Sequence, residues 1–515
     1  MLKTLMTHRP LASPRSVAIA RIGALFVCML IALSAWLVSS PVGSAPDDNF
    51  HLGSIYCAST SSASMCTKTS SGYLLPAAVV NAYTCYEYSP SSTANCQDLA
   101  SKAPVTESGA QVNKTGEYPG GFYWFMGFFA GSNVSVSVYA MRFVTILIAA
   151  IALLATLAVA PPNLRQAGAI GVVAALGPLG WFLLASTNPS SWAIIGVGLY
   201  WVALLSHALN ENQYRRWGAF GLGLVLGVLA CAARGDAGGY LIALNLCAAI
   251  ALVGFRIDRS RWRSTLGLMI ATSAIAVFVL LQASQVGAIS SGATSSGSGF
   301  GIDQFLYNVL NVFTLSFGSL GYSPLGWLDT GMPIIIPVAL SILVVRLIVA
   351  GNRSVTRGAR CAALIVLVLL FLVPMAGLYQ YQTVVPFDVQ SRYVMPLLPA
   401  FIGFWFIRLN QHEQAVLTRG MRWFFLLAVF LSFSIALLWN TIRYTQGLPP
   451  GVATFGITTG APSFDVSGAA KWWPTTAFSP GANWIVGSLA AGAVLLLAAP
   501  YFLPRRTIDP THAPE

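Results

Sequence analysis

Residues 17–38 read VAIARIGALFVCMLIALSAWLV, an apolar run that contains a single charged residue, Arg21. A helix of about 17 to 25 mainly apolar residues crosses the ~30 Å hydrocarbon core of a bilayer. The run exceeds the core of a signal peptide, which has about 7 to 15 residues. Small residues at 43–45 would suit cleavage, but the length favours a retained membrane anchor. Similar runs recur along most of the chain.

The composition is that of a protein built into a membrane. Apolar residues make up 56% of the 515 residues and charged residues only 9%, and the mean hydropathy is +0.69. Soluble globular proteins carry about 25% charged residues, so a soluble protein is excluded. We expect an all-α polytopic protein with about twelve transmembrane helices. The first predicted segments are a cytoplasmic leader and first transmembrane helix (1–38), an external loop (39–137), transmembrane helices 2–7 (138–284) and an external loop (285–332). Transmembrane helices 8–12 (333–503) follow, the tenth of them at about 393–409, with external loops at 379–392 and 441–482 and a cytoplasmic tail (504–515).

The net charge of +12 could indicate nucleic-acid binding or membrane topology, and the positions of the basic residues decide between them. They are concentrated in alternate short loops, as the positive-inside rule requires of cytoplasmic loops. We therefore predict a multi-pass protein of the plasma (inner) membrane with both termini cytoplasmic, and no nucleic-acid partner. No P-loop or strand-bound GxGxxG motif is present.

Four of the eight cysteines fall in the first external loop, as two near pairs. An oxidising exterior favours disulfides, and Cys57 with Cys66 and Cys85 with Cys96 is the simplest of three connectivities. Zinc binding is the alternative, but no CxxC or His-rich segment accompanies them.

An acidic motif, PDDNFHLG at 46–53, follows the first apolar run. Proline suits the first turn of a helix, and carboxylates there are favoured by the helix dipole. Adjacent carboxylates at a membrane surface can act as a general base, or bind a metal or a sugar hydroxyl, because like charges push their pKa values apart. Asp47 and Asp48 are therefore catalytic candidates, and the alternative is an ordinary acidic helix cap.

The order acidic-acidic-x-x-His outside the first span resembles the first-loop motif of GT-C-type glycosyltransferases. More closely, the chain resembles the bacterial, often actinobacterial, multi-spanning family known as domain of unknown function 2142. The segments TNPSS (187–191), LGWLDT (325–330) and QSRYVMP (390–396) support this resemblance. Asp48 stands where the related motifs usually have Glu, so either aspartate could be the base.

The resemblance implies inverting transfer of a sugar from a polyprenyl-phosphate donor to a glycan or lipid acceptor of the cell envelope, on the outer face. Such a site needs a base and a cationic phosphate holder at the membrane surface. Arg392, beside Tyr393, is the best phosphate candidate, with interfacial snorkelling as its alternative. The further candidates for substrate or phosphate binding are His51, Arg234 with Asp236, and Lys471 beside Trp472 and Trp473.

Several of these residues also have plain structural interpretations. Arg234 and Asp236 could form a simple salt bridge, and Arg142 could be a membrane anchor. Asp329 and Asp388 are external carboxylates close to these motifs, and either could orient an acceptor or cap a helix. His51 with the two aspartates falls short of a recognisable metal signature, so no cofactor is assigned and a divalent metal is left open. The alternative functions are a transporter or flippase of lipid-linked saccharides, which would carry more ionisable groups near mid-span, and a non-catalytic envelope scaffold.

Overall fold

Helices dominate the computed structural model, which describes residues 14–59, 65–101, 104–107, 112–113, 116–282, 301–386, 389–410, 412–448, 471–474 and 478–503. Its helices are α1 (Pro14–Val38), α2 (Asp48–Ala58), α3 (Ala77–Val80), α4 (Gly120–Gly127), α5 (Val134–Val159), α6 (Pro162–Leu184), α7 (Ser190–Leu209), α8 (Gln213–Ala233), α9 (Gly235–Ala251), α10 (Arg259–Gln282), α11 (Ile302–Ser316), α12 (Ile335–Asn352), α13 (Arg357–Gln380), α14 (Ser391–Val394), α15 (Leu398–Phe404), α16 (Arg419–Thr445) and α17 (Pro480–Phe502). The fold is the all-α membrane architecture that the sequence predicts.

Within the described ranges, ten helices are long and apolar enough to cross a membrane: α1, α5, α6, α7, α8, α10, α12, α13, α16 and α17. The sequence predicted about twelve spans. Helix α9 is apolar but shorter, and the segment predicted to span at 393–409 is broken into α14, a 3₁₀ turn (Met395–Leu397) and α15. Pro396 and Pro399 explain the break, because proline has no N–H to continue the helical hydrogen bonds.

Helix α5 begins at a side-chain cap, and helix α6 contains a kink. The Asn133 side chain accepts a hydrogen bond from Val136 N at the start of α5 (3.1 Å), as expected of a good N-cap. Helix α6 kinks at Gly177-Pro178, where Gly177 has φ +48°. A Cβ atom at Gly177 would lie 1.9 Å from Ser319 O, so only glycine permits this approach of the two chain segments.

The core of the bundle surrounds α7, whose residues are all buried. The fully buried Trp36 of α1 contacts the rings of Trp181 and Phe182 from α6 and of Phe433 from α16, at centroid distances of 6.5, 6.5 and 6.1 Å. The C-terminal ends of α1 and α6 therefore lie at one end of the bundle. The N-terminal ends of α5 and α7 lie there too, because Arg142 of α5 and Asn188, just before α7, are hydrogen-bonded to the segment that follows α1. We call this the loop-side end, because the first loop covers it.

The first loop has its own small core and two disulfides. Strands β1 (Thr67–Lys68), β2 (Tyr73–Pro76) and β3 (Pro104–Glu107) form an antiparallel sheet in that order. Leu52 and Ile55 of α2 pack with Phe122 and Met126 of α4 in one buried cluster. Disulfides join Cys57 to Cys66 and Cys85 to Cys96, which is the predicted pairing. This folded loop seats α2, and with it the acidic motif, on the loop-side end.

Candidate active site

The two aspartates of the acidic motif point to different environments. Asp47 precedes α2 and has φ 58° and ψ 19°, a left-handed conformation that is uncommon outside glycine but tolerated by Asp and Asn. Its side chain is 39% exposed, whereas Asp48 is fully buried. One residue is therefore accessible to a substrate, and the other faces the protein interior.

Asp48 fixes the turn at 45–48 through hydrogen bonds inside the protein. Its carboxylate accepts hydrogen bonds from Thr187 Oγ1 (2.8 Å) and from Ala45 N (3.1 Å). Burial raises the pKa of Asp48 to about 6, although the charge of Arg142, 4.0 Å away, opposes the rise. Asp48 thus links the motif to the loop between α6 and α7 and has no access to solvent.

Arg142 caps the end of α1 instead of anchoring at a membrane surface. It is fully buried and donates to Ser40 O (2.5 Å) and Pro41 O (2.8 Å). These carbonyls follow the last turn of α1, where a cation satisfies unpaired acceptors and the helix dipole. The sequence interpretation of Arg142 as an anchor is wrong, because apolar neighbours and these carbonyls enclose it.

Asp47 forms an ion pair with Arg392, from a segment 345 residues further along the chain. Arg392 is only 1% exposed and also donates to Pro46 O (3.0 Å) and to the Tyr393 hydroxyl (3.4 Å). Burial acts to raise the pKa of Asp47, but the Arg392 guanidinium, together with His51 and Arg234, outweighs burial, and the pKa lies below its usual value. The sequence proposed these two residues as base and phosphate holder, and the fold brings them into contact.

A second arginine lies against the same tyrosine ring. The Arg234 guanidinium is 4.6 Å from the Tyr393 ring centroid, and that of Arg392 is 5.2 Å from it. Arg234 pairs with Asp236 through two hydrogen bonds of 2.9 and 2.7 Å and donates to Ser190 Oγ (3.2 Å). The salt bridge foreseen for Arg234 and Asp236 is thus present, and it stands beside the Asp47–Arg392 pair.

His51 belongs to the wall of the site. Its Nδ1 shares a hydrogen bond of 2.9 Å with the Tyr123 hydroxyl, and its ring contacts that of Tyr118 at 5.2 Å. Burial, with the charges of Arg392 and Arg234, lowers the pKa of His51 to about 3 although Asp47 opposes this. The imidazole is therefore neutral near pH 7. No pattern in the sequence pointed to Tyr118 and Tyr123 as parts of this site.

The acidic motif does not form a metal-ligand set. Asp48 faces Thr187 while His51 binds Tyr123, so the three candidate ligands diverge. Among the residues that the structure describes, no group of three or more His, Cys, Asp or Glu side chains is arranged to hold a metal ion. The donor set therefore does not fit a divalent metal here.

A second buried ion pair, between Arg443 and Asp329, joins α16 to the 325–330 turn. Arg443 binds Asp329 (2.7 Å), and both side chains are at most 5% exposed. Arg443 also donates to Ser92 O (2.6 Å) and Tyr86 O (2.9 Å). Asp329 was proposed as an acceptor-orienting residue or a cap, and it instead ties the 325–330 turn to α16. Sequence reasoning missed Arg443, although a basic residue at the loop-side end of a predicted span was the available signal.

The remaining candidates lie at the edge of this region. Lys471 is exposed, and its backbone N–H donates to Thr445 O (3.1 Å). Its neighbour Trp472 contacts Tyr444 at 6.4 Å, so Lys471 lies on the Tyr444 side of the site. Asp388 is outside the described residues.

The other motif segments converge on the acidic turn. In the segment 187–191, Asn188 Nδ2 donates to Pro46 O (2.7 Å), while Thr187 binds Asp48 and Ser190 binds Arg234. In the segment 325–330, Trp327 Nε1 donates to Gly43 O (3.0 Å). Four segments far apart in sequence thus build one polar site at the loop-side end of a membrane-spanning helical bundle.

This arrangement defines a polytopic membrane protein with a charged site beneath a folded loop. The family described as "Predicted membrane protein (DUF2142)" matches residues 30–401, and the chain belongs to this family. The matched range contains all four converging segments. Among curated proteins and among solved structures, no match was found.

Proposed function

We propose that the protein is a membrane-embedded inverting glycosyltransferase. It takes a sugar from a polyprenyl-phosphate donor and transfers it to a glycan or lipid acceptor of the cell envelope. The observation that carries the proposal is the contact between the half-exposed Asp47 and the buried Arg392, with Arg234 against the same tyrosine ring. A base and a phosphate holder are the two groups that the reaction requires.

Arg392 and Arg234 are the cationic groups that a donor phosphate would meet at this site. The Arg392 guanidinium contacts Asp47 and lies against the Tyr393 ring, on which the Arg234 guanidinium also lies. Arginine binds phosphate through paired, charge-assisted hydrogen bonds. The donor phosphate would therefore compete with Asp47 for Arg392, and a phosphate near the Arg234–Asp236 pair would meet a second guanidinium.

This competition gives Asp47 its role as the base. While it is paired with Arg392, its lowered pKa makes it a weak proton acceptor. When the phosphate takes over Arg392, Asp47 loses its countercharge and gains an anionic neighbour, and both changes raise its pKa. Donor binding thereby prepares Asp47 for the acceptor, which suits catalysis near neutral pH.

The chemical step is a single displacement. Asp47 takes the proton of an acceptor hydroxyl while that oxygen forms a bond to the anomeric carbon. The bond between this carbon and the phosphate oxygen breaks on the opposite face, and the lipid phosphate leaves with the electron pair. Arg392 and Arg234 stabilise the charge that develops on the leaving phosphate. Asp48, held by Thr187 and Ala45, positions the turn that carries Asp47.

The orientation belongs to the proposal as well. We infer that the protein lies in the plasma membrane with the loop-side end outside and both termini in the cytoplasm. The two disulfides of the first loop support this orientation, because such bonds persist in oxidising compartments. The acceptor and the donor sugar would then meet at the outer face.

The proposal is tested by transfer from radiolabelled polyprenyl-phosphate sugars, with purified protein in lipid nanodiscs. Asp47→Asn should slow product formation by roughly 10²- to 10⁴-fold, and Arg392→Gln should weaken donor binding. Asp258→Asn is the matched control, because Asp258 also forms an Arg pair (2.7 Å to Arg261) but before α10, at the opposite end of the bundle. Full transfer by Asp47→Asn would refute the catalytic assignment. Movement of labelled lipid across liposome membranes without any product would favour the flippase alternative.

A further inference from the structure

An aromatic cluster stands beside the Asp47 turn and has no part in the chemistry described above. Trp327 stacks on Tyr83, with ring centroids 5.0 Å apart and an interplanar angle of 27°. Tyr88 meets Trp327 edge to face at 5.7 Å. Trp327 itself is bonded to Gly43 O (3.0 Å), four residues before Asp47. The three rings therefore form a wall next to the acidic turn, which we call the aromatic wall.

Tyr88 is the most exposed member of the aromatic wall. Tyr88 is 69% exposed, whereas Trp327 is 6% exposed. The ring of Tyr88 contacts that of Trp327, and Trp327 is hydrogen-bonded to the segment that leads into the Asp47 turn, so Tyr88 lies on the same side of the molecule as that turn. A large exposed aromatic ring close to a charged site is a common feature of ligand-binding surfaces.

The backbone of Tyr88 has a positive φ of 50°, which is unfavourable for a non-glycine residue. Among the described residues, the non-glycine residues with positive φ are Asp47, Tyr88, Leu328 and Gln382. The first three belong to the acidic turn and to the two segments of the aromatic wall. Positive φ costs of order 1 to 3 kcal/mol at non-glycine residues and persists where the surroundings enforce it, often at functional sites.

Covalent and hydrogen-bonded supports fix Tyr88 in place. It lies between Cys85 and Cys96, which are joined by a disulfide. Its neighbour Tyr86 is fully buried and donates to Val42 O (2.6 Å). The exposed ring is thus preorganised, which lowers the entropy cost of binding a ligand on it.

We propose that the aromatic wall is a stacking surface for a sugar ring of the acceptor, with Tyr88 as the contacting residue. This inference rests on the proposed function and deepens it, because it assigns the acceptor to the saccharides. The C–H face of a sugar ring is complementary to the electron-rich face of an aromatic ring. A sugar stacked here would lie beside the segment that leads into the Asp47 turn, to which Trp327 is hydrogen-bonded.

The surroundings of Tyr88 suit a saccharide better than a hydrocarbon chain. The flanking residues Glu87 and Ser89 are polar, and Ser89 shares a hydrogen bond of 2.9 Å with Ser92. A single exposed ring among polar groups fits a ligand with one apolar face and many hydroxyls. An acyl chain would require a continuous apolar surface.

The test measures sugar binding apart from sugar transfer. Saturation-transfer difference NMR is recorded with methyl glycosides of hexopyranoses and pentofuranoses as probes, for wild type, Tyr88→Ala and Tyr88→Phe. Tyr214→Ala is the control, because Tyr214 is 90% exposed but lies at the opposite end of α8. We expect Tyr88→Ala to weaken binding roughly tenfold, the loss of one aromatic contact, and Tyr88→Phe and Tyr214→Ala to retain it.

The outcomes separate this inference from the proposed function. An unchanged signal in Tyr88→Ala, or no signal from any glycoside in wild type, would overturn the stacking surface. A signal that depends on Tyr88, with no sugar transfer by wild type, would uphold the stacking surface and refute the glycosyltransferase. If transfer does occur, the KM for the acceptor should rise in Tyr88→Ala with kcat little changed, because Tyr88 binds the acceptor and takes no proton.

Discussion

Replacement of Asp48 by asparagine should change how the stability of the protein depends on pH. Asp48 is fully buried, and its pKa is raised from 3.8 to about 6. A carboxyl group whose pKa is higher in the folded state binds its proton more tightly there than in the unfolded chain. Its contribution to stability is therefore fully present below about pH 3.8 and is lost as the pH rises through about 6.

The size of this effect follows from the shift of about two pKa units. One unit corresponds to 1.36 kcal/mol, so the ionised Asp48 costs about 3 kcal/mol of folding free energy at pH 8. The asparagine side chain of the variant carries no charge to desolvate but loses one of the two accepted hydrogen bonds, about 1 kcal/mol. We expect Asp48→Asn to be about 1 to 2 kcal/mol more stable than wild type at pH 8.

The assay is thermal unfolding of detergent-solubilised protein, followed by tryptophan fluorescence between pH 4 and pH 8. The melting temperature of wild type should fall across this range relative to that of Asp48→Asn, because only wild type loses a proton from the buried carboxyl group. Asp258→Asn, at the exposed opposite end, serves as the control and should follow wild type. Parallel pH curves for wild type and Asp48→Asn would refute the reasoning.

Three further predictions concern the supports of the site. Arg443→Ala leaves Asp329 buried without its partner, so we expect a loss of about 3 to 5 kcal/mol and a lower melting temperature, and a change below 1 kcal/mol would contradict this. Unreduced protein, denatured and treated with a maleimide, should label only four of the eight cysteines, and reduction should expose the rest. Because His51 stays neutral above about pH 3, the transfer rate of His51→Gln should depend on pH between 5 and 8 as that of wild type does. If wild type lost activity at the acidic end of this range and the variant did not, the prediction would be wrong.

Much of the helical architecture was predictable because each spanning helix is an apolar run in the sequence. The segment at 393–409 was predicted as one spanning helix because it is apolar. The structure divides it into shorter elements, since Pro396 and Pro399 interrupt the helical hydrogen bonds. The disulfide pairing was predictable too, because each pair is close in sequence. Spanning helices and short-range disulfides depend on residues that are close together in the sequence, so the sequence alone predicts them.

The arrangement of the site depended on contacts that no local pattern encodes. Asp47 and Arg392 were both proposed from the sequence, but their ion pair joins residues 345 positions apart. The different environments of Asp47 and Asp48 follow from the left-handed backbone at Asp47, which the sequence does not specify. The pairing of Arg443 with Asp329 likewise joins residues 114 positions apart, so no local pattern indicates it.

The central claim is that Asp47 removes the proton from the acceptor. The most direct measurement is kcat for sugar transfer by wild type and Asp47→Asn at saturating polyprenyl-phosphate donor and acceptor. Loss of a general base should lower kcat by roughly 10²- to 10⁴-fold, with the protein still folded by its melting temperature. A folded Asp47→Asn variant whose kcat stays within twofold of wild type would contradict the account.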